Sequence, residues 1–512
     1  MASIVNSFAI SGIDGYLVEI ETDTLYGQPS ISIIGLGDRA IKESSERIQA
    51  AIIQAGYEFP KMKIVVNLAP GDIKKRGSHF DLGMALGLLI QSKQISTNID
   101  INKFGFIGEL SLNGLLRPCA GVLPMVIAAK SVGIENIIVP RENLGEASLV
   151  NGIKAYGFDD LVSVIDFIEG NKVIELLSED INPQLSPNYP IDFSDVKGQD
   201  VLIEYIVVAA AGGHNMLMVG SPGCGKSMIA KRIPTILPKM SEEEALEVTK
   251  IYSVAGLLKD RGNLVTERPF RAPHHSASLN SLVGGGNNAM PGEVSLAHNG
   301  VLFLDEVAEF SKKTLDSLRQ PMEDKKVTVA RVNSTNTYPS NFMFIAAMNP
   351  CPCGYHGTNK CKCTDYEILK YRQKVSGPIL DRIDIQKYVH PVDFINLTGN
   401  KKGQTSDELR ERVENAREIQ RIRYKDIKGI NSNAQMTPKL IKKYCQLDEE
   451  SKALLRMAYD KYGYSARTYD KFLKVARTFA DLGGSPNIRK EDIMNVLLSR
   501  DLDKERTRMH TI

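Results

Sequence analysis

The sequence predicts a multidomain α/β protein with a mixed α/β domain first, a parallel sheet with crossover helices second and a helical domain last. Three observations support this fold class. The chain has 512 residues, which is too long for one ordinary hydrophobic core. Short apolar runs alternate with helical stretches over about the first 395 residues, a pattern typical of α/β sheets. From about Thr405 onward the sequence becomes helical and charged.

The predicted elements follow the chain in order. The first domain is predicted to contain strands at Ile31–Ile34, Lys63–Leu68 and Asn136–Pro140. It is also predicted to contain an amphipathic helix at Arg39–Gly56. The second domain is predicted to contain a helix at Gln199–Ala211 and buried strands at Asn215–Val219, Val301–Leu304 and Phe342–Ala346. The last is predicted to contain helices at Asp407–Tyr424 and Glu449–Tyr462.

These elements divide the chain into three predicted domains and a linker. The first domain covers residues 1–170, and the linker covers 171–190, where the run EDINPQLSPNYP holds three prolines. The parallel-sheet domain covers 191–395 and includes a cysteine cluster at 351–363. The helical domain covers 396–512.

Composition excludes several classes of protein. The 63 basic and 61 acidic residues give a net charge of +2, which excludes a strongly basic nucleic-acid coat but allows local basic surfaces. The apolar runs fall short of the roughly 20 residues that span a bilayer, and the start MASIVNSFAI lacks the features of a signal peptide. The seven cysteines do not suggest a disulfide framework. We therefore expect a cytoplasmic protein without a membrane segment.

The strongest motif is a glycine-rich loop that matches GxxxxGK[ST] between a predicted strand and a predicted helix. Its residues are Gly220, Ser221, Pro222, Gly223, Cys224, Gly225, Lys226 and Ser227. Glycines let backbone N–H groups converge on phosphates without Cβ clashes. Lys226 is predicted to neutralise phosphate charge, and the Ser227 hydroxyl to bind Mg²⁺. The loop therefore predicts binding of ATP with Mg²⁺.

Acidic and amide side chains follow the next two predicted strands. Asp305 and Glu306 end the apolar strand Val301–Leu304. We expect Asp305 to hold Mg²⁺ and Glu306 to act as the general base toward the attacking water. Asn349 ends the third strand, where its amide can orient that water. The alternative interpretations are a solvated acidic pair and an ordinary turn residue.

Four cysteines lie close together in the sequence, in the pattern CxC-x₇-CxC. They are Cys351, Cys353, Cys361 and Cys363. Thiolates are good tetrahedral ligands of Zn²⁺, and four of them leave no open position, so the pattern favours a structural zinc site. The alternative is a set of reduced thiols on a tight loop.

Several longer strings resemble the AAA+ ATPases, specifically the magnesium-chelatase-like ComM/YifB group. Beyond the phosphate loop they are Arg271–Ser278 (RAPHHSAS), Gly292–Glu306 (GEVSLAHNGVLFLDE), Met348–Gly354 (MNPCPCG), Ser376–Asp384 (SGPILDRID) and Ser465–Leu482 (SARTYDKFLKVARTFADL). The resemblance implies that Arg382 is the arginine finger that reaches a neighbouring subunit's γ-phosphate. It also implies that Arg467 is the second sensor, at the start of a lid helix.

The resemblance further implies hexameric rings that move DNA through a central pore and drive branch migration in recombination or natural transformation. Two segments are candidates for lining such a pore: Arg271–Gly286, with His274 and His275, and a β-hairpin arm with Lys325, Lys326 and Arg331. The alternative for the hairpin is an ordinary solvated surface. A chelatase-type or chaperone-like ATPase that remodels a protein partner is the alternative function.

The amino-terminal domain resembles the domain that Lon-type proteases share with certain recombination ATPases, a fold like ribosomal protein S5 domain 2. The strings that carry this resemblance are Val66–Leu89, Phe106–Lys130 and Asn136–Asn143. A Lon-type peptidase needs a serine and a lysine. Phe80 falls near the serine position and Leu123 falls at the lysine position. The sequence therefore predicts a Lon-like domain without the catalytic dyad, which serves for docking or DNA contact.

Overall fold

The computed structural model describes residues 2–171, 189–258, 262–286, 289–331, 334–392 and 403–503, and the side chains of 331 and 334 are not among the described ones. Two large sheets and a carboxyl-terminal group of helices make up the fold. Most of the predicted linker and the predicted boundary between 395 and 396 lie outside these residues. No helix of the described ranges is both long and apolar enough to cross a membrane.

The first sheet has seven strands in the order β3-β4-β2-β1-β5-β8-β9. Strand β2 is antiparallel to β1 and to β4, and the other pairs are parallel. Together with the small β6–β7 pair, the strands of this part are β1 Ser3–Ser11, β2 Asp14–Leu25, β3 Ser30–Ile34, β4 Lys63–Ala69, β5 Phe104–Phe106, β6 Glu109–Leu110, β7 Leu116–Arg117, β8 Asn136–Pro140 and β9 Lys154–Phe158.

Five helices accompany this sheet: α1 Arg39–Gln54, α2 Asp81–Gln91, α3 Val122–Ser131, α4 Leu144–Ser148 and α5 Leu161–Ile168. The Asp38 side chain caps α1 by accepting a hydrogen bond from the Ile41 N–H at 3.1 Å. Helix α2 is apolar almost all round and buried along Asp81–Leu89, as expected of a helix in the centre of a domain.

The second sheet has five strands, all parallel, in the order β11-β14-β17-β10-β18. The strands are β10 Met216–Gly220, β11 Phe270–Arg271, β14 Val301–Leu304, β17 Met343–Met348 and β18 Ile385–Val389. Every residue of β10, β14 and β17 is buried, which explains why the sequences of these strands are continuous apolar runs. Because the strands are parallel, their carboxyl ends share one edge of the sheet and their amino ends share the other.

Helix α6 Asp200–Gly212 precedes these strands, and the helices between them are α7 Lys226–Ile236, α8 Glu242–Val254, α9 Leu279–Val283, α10 Glu293–Leu296, α11 Lys312–Asp316, α12 Arg319–Asp324, α13 Asp365–Arg372 and α14 Gly377–Leu380. This part also contains two small antiparallel pairs: β12 Gly284–Gly285 with β13 Met290–Pro291, and β15 Lys326–Arg331 with β16 Ser334–Pro339. The carboxyl-terminal helices are α15 Ser406–Tyr424, α16 Pro438–Tyr444, α17 Glu449–Tyr462, α18 Ala466–Leu482 and α19 Lys490–Leu498.

The amino-terminal part packs on helix α8 of the part that contains the five-stranded sheet. The Gly121 N–H donates to the Ser253 carbonyl at 3.0 Å, and the Ser253 hydroxyl donates to the buried carboxylate of Glu146. Lys250 forms an ion pair with Asp14 at 3.5 Å. The contact therefore combines a buried hydrogen-bonded carboxylate with an exposed ion pair, and the former carries more of the binding.

Candidate functional site

The glycine-rich loop lies at the carboxyl edge of the five-stranded sheet, between the end of β10 and the start of α7. Gly223 and Gly225 have φ angles of 79° and 89°, in the left-handed region that side-chain-bearing residues avoid. These turns bring the loop directly into the first turn of α7, where unpaired N–H groups and the helix dipole favour an anion. The loop therefore has the left-handed glycines and the position before a helix that phosphate binding would require.

The ammonium of Lys226 is buried inside this loop. It donates to the carbonyls of Gly220 and Ser221 at 2.6 and 3.0 Å, and to Asn349 Oδ1 at 3.3 Å. Asn349 follows β17, the strand adjacent to β10. The structure therefore joins two residues that are far apart in sequence, and it places the predicted water-orienting amide beside the predicted phosphate-binding lysine.

The predicted magnesium ligands also meet. The Ser227 hydroxyl donates to the carboxylate of Asp305. A hydroxyl and a carboxylate oxygen are the hard ligands that Mg²⁺ takes alongside water and phosphate oxygens. The donor set at this point therefore fits Mg²⁺ bound together with a nucleotide.

Glu306 follows Asp305 and faces solvent from the same edge. Its φ is 48°, and its N–H donates to Asp305 Oδ1 at 2.9 Å. A left-handed φ at a residue without a glycine's freedom costs about 1–3 kcal/mol and is concentrated at functional sites. The side chain is 55% exposed, so its carboxylate can reach a water molecule near the loop.

Two neighbours of this site were not predicted as part of it. His275 Nδ1 lies 3.7 Å from Glu306 Oε2, because β11 pairs with β14 and the residues that follow both strands meet at one edge. Tyr371 accepts a hydrogen bond from the backbone N–H of Asn349, and burial raises its pKa to about 12. The tyrosine hydroxyl therefore stays neutral. His275 could have been predicted near Glu306 only if the order of the strands in the sheet had been known. No sequence signal indicates that Tyr371 contacts Asn349.

Arg382 and Arg467 lie away from the phosphate loop of their own chain. Both line a cavity of about 1640 Å³. Residues that precede the strands also line it, including Asn215 before β10 and Asp384 before β18, so the cavity lies at the amino edge of the sheet. The five residues of β10 separate the two edges by roughly 16 Å.

Within this cavity, Arg382 donates to Glu323 Oε1 at 2.5 Å and to the Pro378 carbonyl at 2.7 Å, and Arg467 is exposed in the first turn of α18. Neither arginine is brought to the phosphate loop of the same chain.

Asp384 is the most strongly perturbed acid of the cavity. Burial alone raises its pKa, but the His214 ring 3.4 Å away and the Lys471 ammonium 3.8 Å away more than offset burial. They lower the pKa of Asp384 to about 2. Burial lowers the pKa of Lys471 itself, and it lowers the pKa of Lys325, another lysine of the cavity.

The two predicted pore segments pack against each other through Val283, which contacts an apolar cluster of the β15–β16 hairpin. Val327, Val329 and Tyr338 form this cluster with Ala289, whose carbonyl accepts a hydrogen bond from the Tyr338 hydroxyl at 2.8 Å. Lys326 is exposed, whereas Lys325 lines the amino-edge cavity, and the side chain of Arg331 lies outside the described ones. Of the three predicted phosphate contacts, Lys326 is thus the one shown on the surface.

The four thiols of the cysteine cluster converge. Cys351 Sγ lies 3.4 Å from Cys353 Sγ and 3.8 Å from Cys361 Sγ, and the latter two are 3.7 Å apart. All four sulfur atoms, including that of Cys363, lie within 4.8 Å of one another. Hydrogen bonds from the backbone N–H groups of Lys362 and Tyr355 lower the pKa of Cys353 to about 6, which favours its thiolate form.

The two residues that the sequence analysis matches to the Lon-type dyad are both apolar and fully buried. Phe80 precedes α2, and Leu123 lies in the first turn of α3. The nearby Ser78 hydroxyl donates to Glu109. Phe80 and Leu123 supply neither a nucleophile nor a base, so these two positions carry no peptidase chemistry.

Comparison with known proteins assigns the family. The family described as "Magnesium chelatase, subunit ChlI" matches residues 192–397, "Subunit ChlI of Mg-chelatase" matches 20–143, and "Magnesium chelatase, subunit ChlI C-terminal" matches 403–500. Competence protein ComM of Haemophilus influenzae is 39% identical over 502 residues, which cover 97% of this chain and 96% of that protein.

Two further relatives extend the comparison. YifB of Escherichia coli, an uncharacterized protein, is 38% identical over 504 residues, which cover 98% of this chain and 97% of the relative. Lon protease 2 of Bacillus subtilis is 30% identical over 191 residues, which cover 34% of each chain. The fold, the phosphate loop and these full-length matches together show that the chain belongs to the ComM/YifB group of magnesium-chelatase-like AAA+ ATPases.

Proposed function

We propose that this protein is a ring-forming motor that hydrolyses ATP between subunits and moves DNA, as a branch-migration helicase or translocase in recombination or natural transformation. The observation that carries the proposal is that the residues predicted for the ATP site lie at opposite edges of one sheet. The phosphate loop, Asp305 and Glu306 lie at the carboxyl edge, and Arg382 lies at the amino edge.

Each group at the carboxyl edge has a defined role in this proposal. The loop N–H groups bind the β- and γ-phosphates, and Lys226 offsets their charge. Ser227 and Asp305 hold Mg²⁺, which when bound supplies charge neutralisation on the phosphate oxygens. Glu306 accepts a proton from the attacking water, and Asn349 holds that water in line with the γ-phosphate.

Assembly follows from the position of the arginines. Arg382 and Arg467 are separated from their own phosphate loop by the length of β10. Each can approach a γ-phosphate only when the amino edge of one subunit faces the carboxyl edge of the next. Such a head-to-tail contact closes into a ring when its rotation allows, and a hexamer is the ring that we propose. Hydrolysis then depends on assembly.

DNA is the proposed substrate for two reasons. The relative from Haemophilus influenzae is a competence protein by name, and it matches this chain from end to end. The β15–β16 hairpin and the adjacent insert form one packed unit, on which Lys326 is exposed. A lysine on such a unit contacts phosphates without reading sequence, which suits a translocating motor.

Steady-state ATP hydrolysis tests the proposal. The purified protein is assayed alone and with single-stranded, duplex and four-way-junction DNA, and the Glu306→Gln protein defines the background. We expect DNA to stimulate turnover, with the largest effect from branched DNA. Turnover that ignores every DNA would contradict a DNA motor and favour the remodelling of a protein partner.

A charge reversal on the hairpin refines this test. Lys326→Glu is expected to weaken stimulation by DNA while basal turnover stays unchanged. Lys439→Glu on α16 is the matched control, because it makes the same charge change at an exposed lysine of another region. Equal stimulation of the two variants would argue against the hairpin as the DNA contact.

A further inference from the structure

We propose that the four clustered cysteines bind one Zn²⁺ and that the metal-bound loop holds the phosphate loop in its ATP-binding conformation. The cysteine loop comprises residues 351–363. The second half of this inference rests on the proposed ATPase function, and the first half does not.

The sulfur positions match one tetrahedral metal. With Zn–S bonds of about 2.3 Å, the edges of a regular tetrahedron of sulfur atoms are about 3.8 Å. The three contacts among Cys351, Cys353 and Cys361, at 3.4, 3.7 and 3.8 Å, are close to this length. Hydrogen bonds between thiols are weak, so a shared metal accounts better for the convergence of four sulfur atoms. Four thiolates fill the coordination shell, so the site is structural.

The cysteine loop also lacks an apolar core of its own. Between Cys351 and Glu367, only Cys351 and Gly354 are buried, and the other residues are intermediate or exposed. Helix α13 begins directly after Cys363, where Thr364 and Glu367 form a capping box. A polar loop of this length needs a cross-link to hold one conformation, and metal binding supplies folding free energy in such loops.

The cysteine loop touches the phosphate loop. Gly354 has a φ of 83°, and a Cβ atom built on it would lie 2.7 Å from Pro222 Cδ and 2.9 Å from Pro222 Cγ. Its backbone therefore packs directly on the phosphate loop at a proline, which has no freedom in φ.

The same cysteine loop starts two residues after Asn349, whose amide accepts the Lys226 hydrogen bond at 3.3 Å. A metal at Cys351 thus fixes both the contact with Pro222 and the position of Asn349. Loss of the metal removes the constraint on both.

Metal content is the first measurement. The full-length protein, purified under reducing conditions, is analysed for total metals, and zinc release is followed while a mercurial reagent titrates the thiols. We expect one zinc per chain, released as four thiols react. The Cys361→Ser/Cys363→Ser double variant is expected to lose it, and Cys119→Ala, a buried cysteine of the first domain, is expected to retain it. The zinc site would be contradicted if the protein contained no zinc and its clustered thiols reacted freely. It would also be contradicted if the protein contained iron in place of zinc.

Two glycine variants test the coupling without removing a ligand. Gly354→Ala and Gly357→Ala both place a side chain at a left-handed φ in the cysteine loop, at 83° and 86°. A Cβ on Gly357 meets no atom within 4 Å, whereas a Cβ on Gly354 meets Pro222. Gly354→Ala is expected to keep zinc but to weaken binding of a fluorescent ATP analogue by about 10-fold or more. Gly357→Ala is expected to match the unaltered protein in both.

Equal nucleotide affinity of the two glycine variants, or a nucleotide affinity that stays unchanged while a chelator keeps the protein free of zinc, would overturn the coupling. A zinc-loaded protein that binds the nucleotide but hydrolyses no ATP under any condition would instead contradict the proposed function. Because zinc content and nucleotide affinity are measured without turnover, the two failures are distinguishable.

Discussion

The two edges of the five-stranded sheet carry complementary parts of the proposed ATP site. At the carboxyl edge, Lys226, Ser227, Asp305 and Asn349 are joined by direct hydrogen bonds within one chain. At the amino edge, Arg382 and Arg467 line a cavity and make no contact with the phosphate loop of that chain. Under the proposed function, this difference means that one subunit holds the nucleotide-binding groups, while a neighbouring subunit supplies the arginines that stabilise the transferred charge.

Arg382→Ala, at the amino edge, is expected to have the largest effect on ATP hydrolysis. We expect ATP binding to persist, because Arg382 lies across the sheet from the phosphate loop, and hydrolysis to fall by about 10³–10⁵-fold, the usual value of an arginine finger. Arg421→Ala is the matched control, because Arg421 lines the same cavity but is 78% exposed and paired with Glu418. Turnover and nucleotide affinity of both variants are measured side by side. Equal turnover would remove Arg382 from the site.

Glu306→Gln tests the other edge. We expect hydrolysis to fall by about 10²–10⁴-fold, because an amide cannot accept the proton of the attacking water. Nucleotide binding and ring assembly should persist. Glu309→Gln changes an exposed acid three residues away that pairs with Lys374, and it should leave turnover nearly unchanged. If Glu306→Gln hydrolyses ATP at the normal rate, another group is the base.

Asp384→Asn probes the stability of the amino edge. The folded pKa of Asp384 is about 2, below the unfolded value of about 3.9, so its charged form stabilises the fold by about 2 kcal/mol above pH 4. This contribution is lost as pH falls through 4 toward 2. Urea unfolding at pH 7 should show the loss in the variant, and the difference between the two proteins should shrink in acid. A difference that does not depend on pH would contradict the assigned ionisation.

His275→Ala should have the smallest effect. Its ring lies 3.7 Å from the Glu306 carboxylate, and a partly exposed contact of this kind is worth about 1 kcal/mol or less, which corresponds to a change in turnover of about fivefold. His274→Ala is the control, because the His274 ring is next to that of His275, with ring centroids 4.0 Å apart, but forms its hydrogen bond with Ser276 instead. Identical turnover of the two variants would show that His275 does not position Glu306.

The carboxyl edge could be predicted from the sequence because its signals are local. The expected strands at Val301–Leu304 and Asn136–Pro140 have those bounds in the structure, and the expected helix at Glu449–Tyr462 does too. The phosphate loop is one contiguous motif, and Asp305, Glu306 and Asn349 each follow an apolar strand. Parallel pairing then brings the ends of those strands together.

The amino edge could not be predicted in the same way. Arg382 precedes β18 and Arg467 begins α18, so their common cavity depends on how the carboxyl-terminal helices pack on the sheet. The sequence predicts that Lys325 belongs to an exposed basic hairpin. In the structure, Lys325 lies at the end of α12, before β15, and lines the cavity. Such contacts depend on tertiary packing, which neither periodicity nor charge pattern encodes.

Mixing two inactive variants tests the shared site most directly. Lys226→Ala chains lack a working phosphate loop but retain Arg382, and Arg382→Ala chains have the reverse defect. In rings assembled from equal amounts of both, about a quarter of the interfaces pair an intact phosphate loop with an intact Arg382. Our account predicts that hydrolysis, absent from each variant alone, returns in the mixture. No recovery at any mixing ratio, in rings shown to contain both chains, would contradict a site shared between subunits.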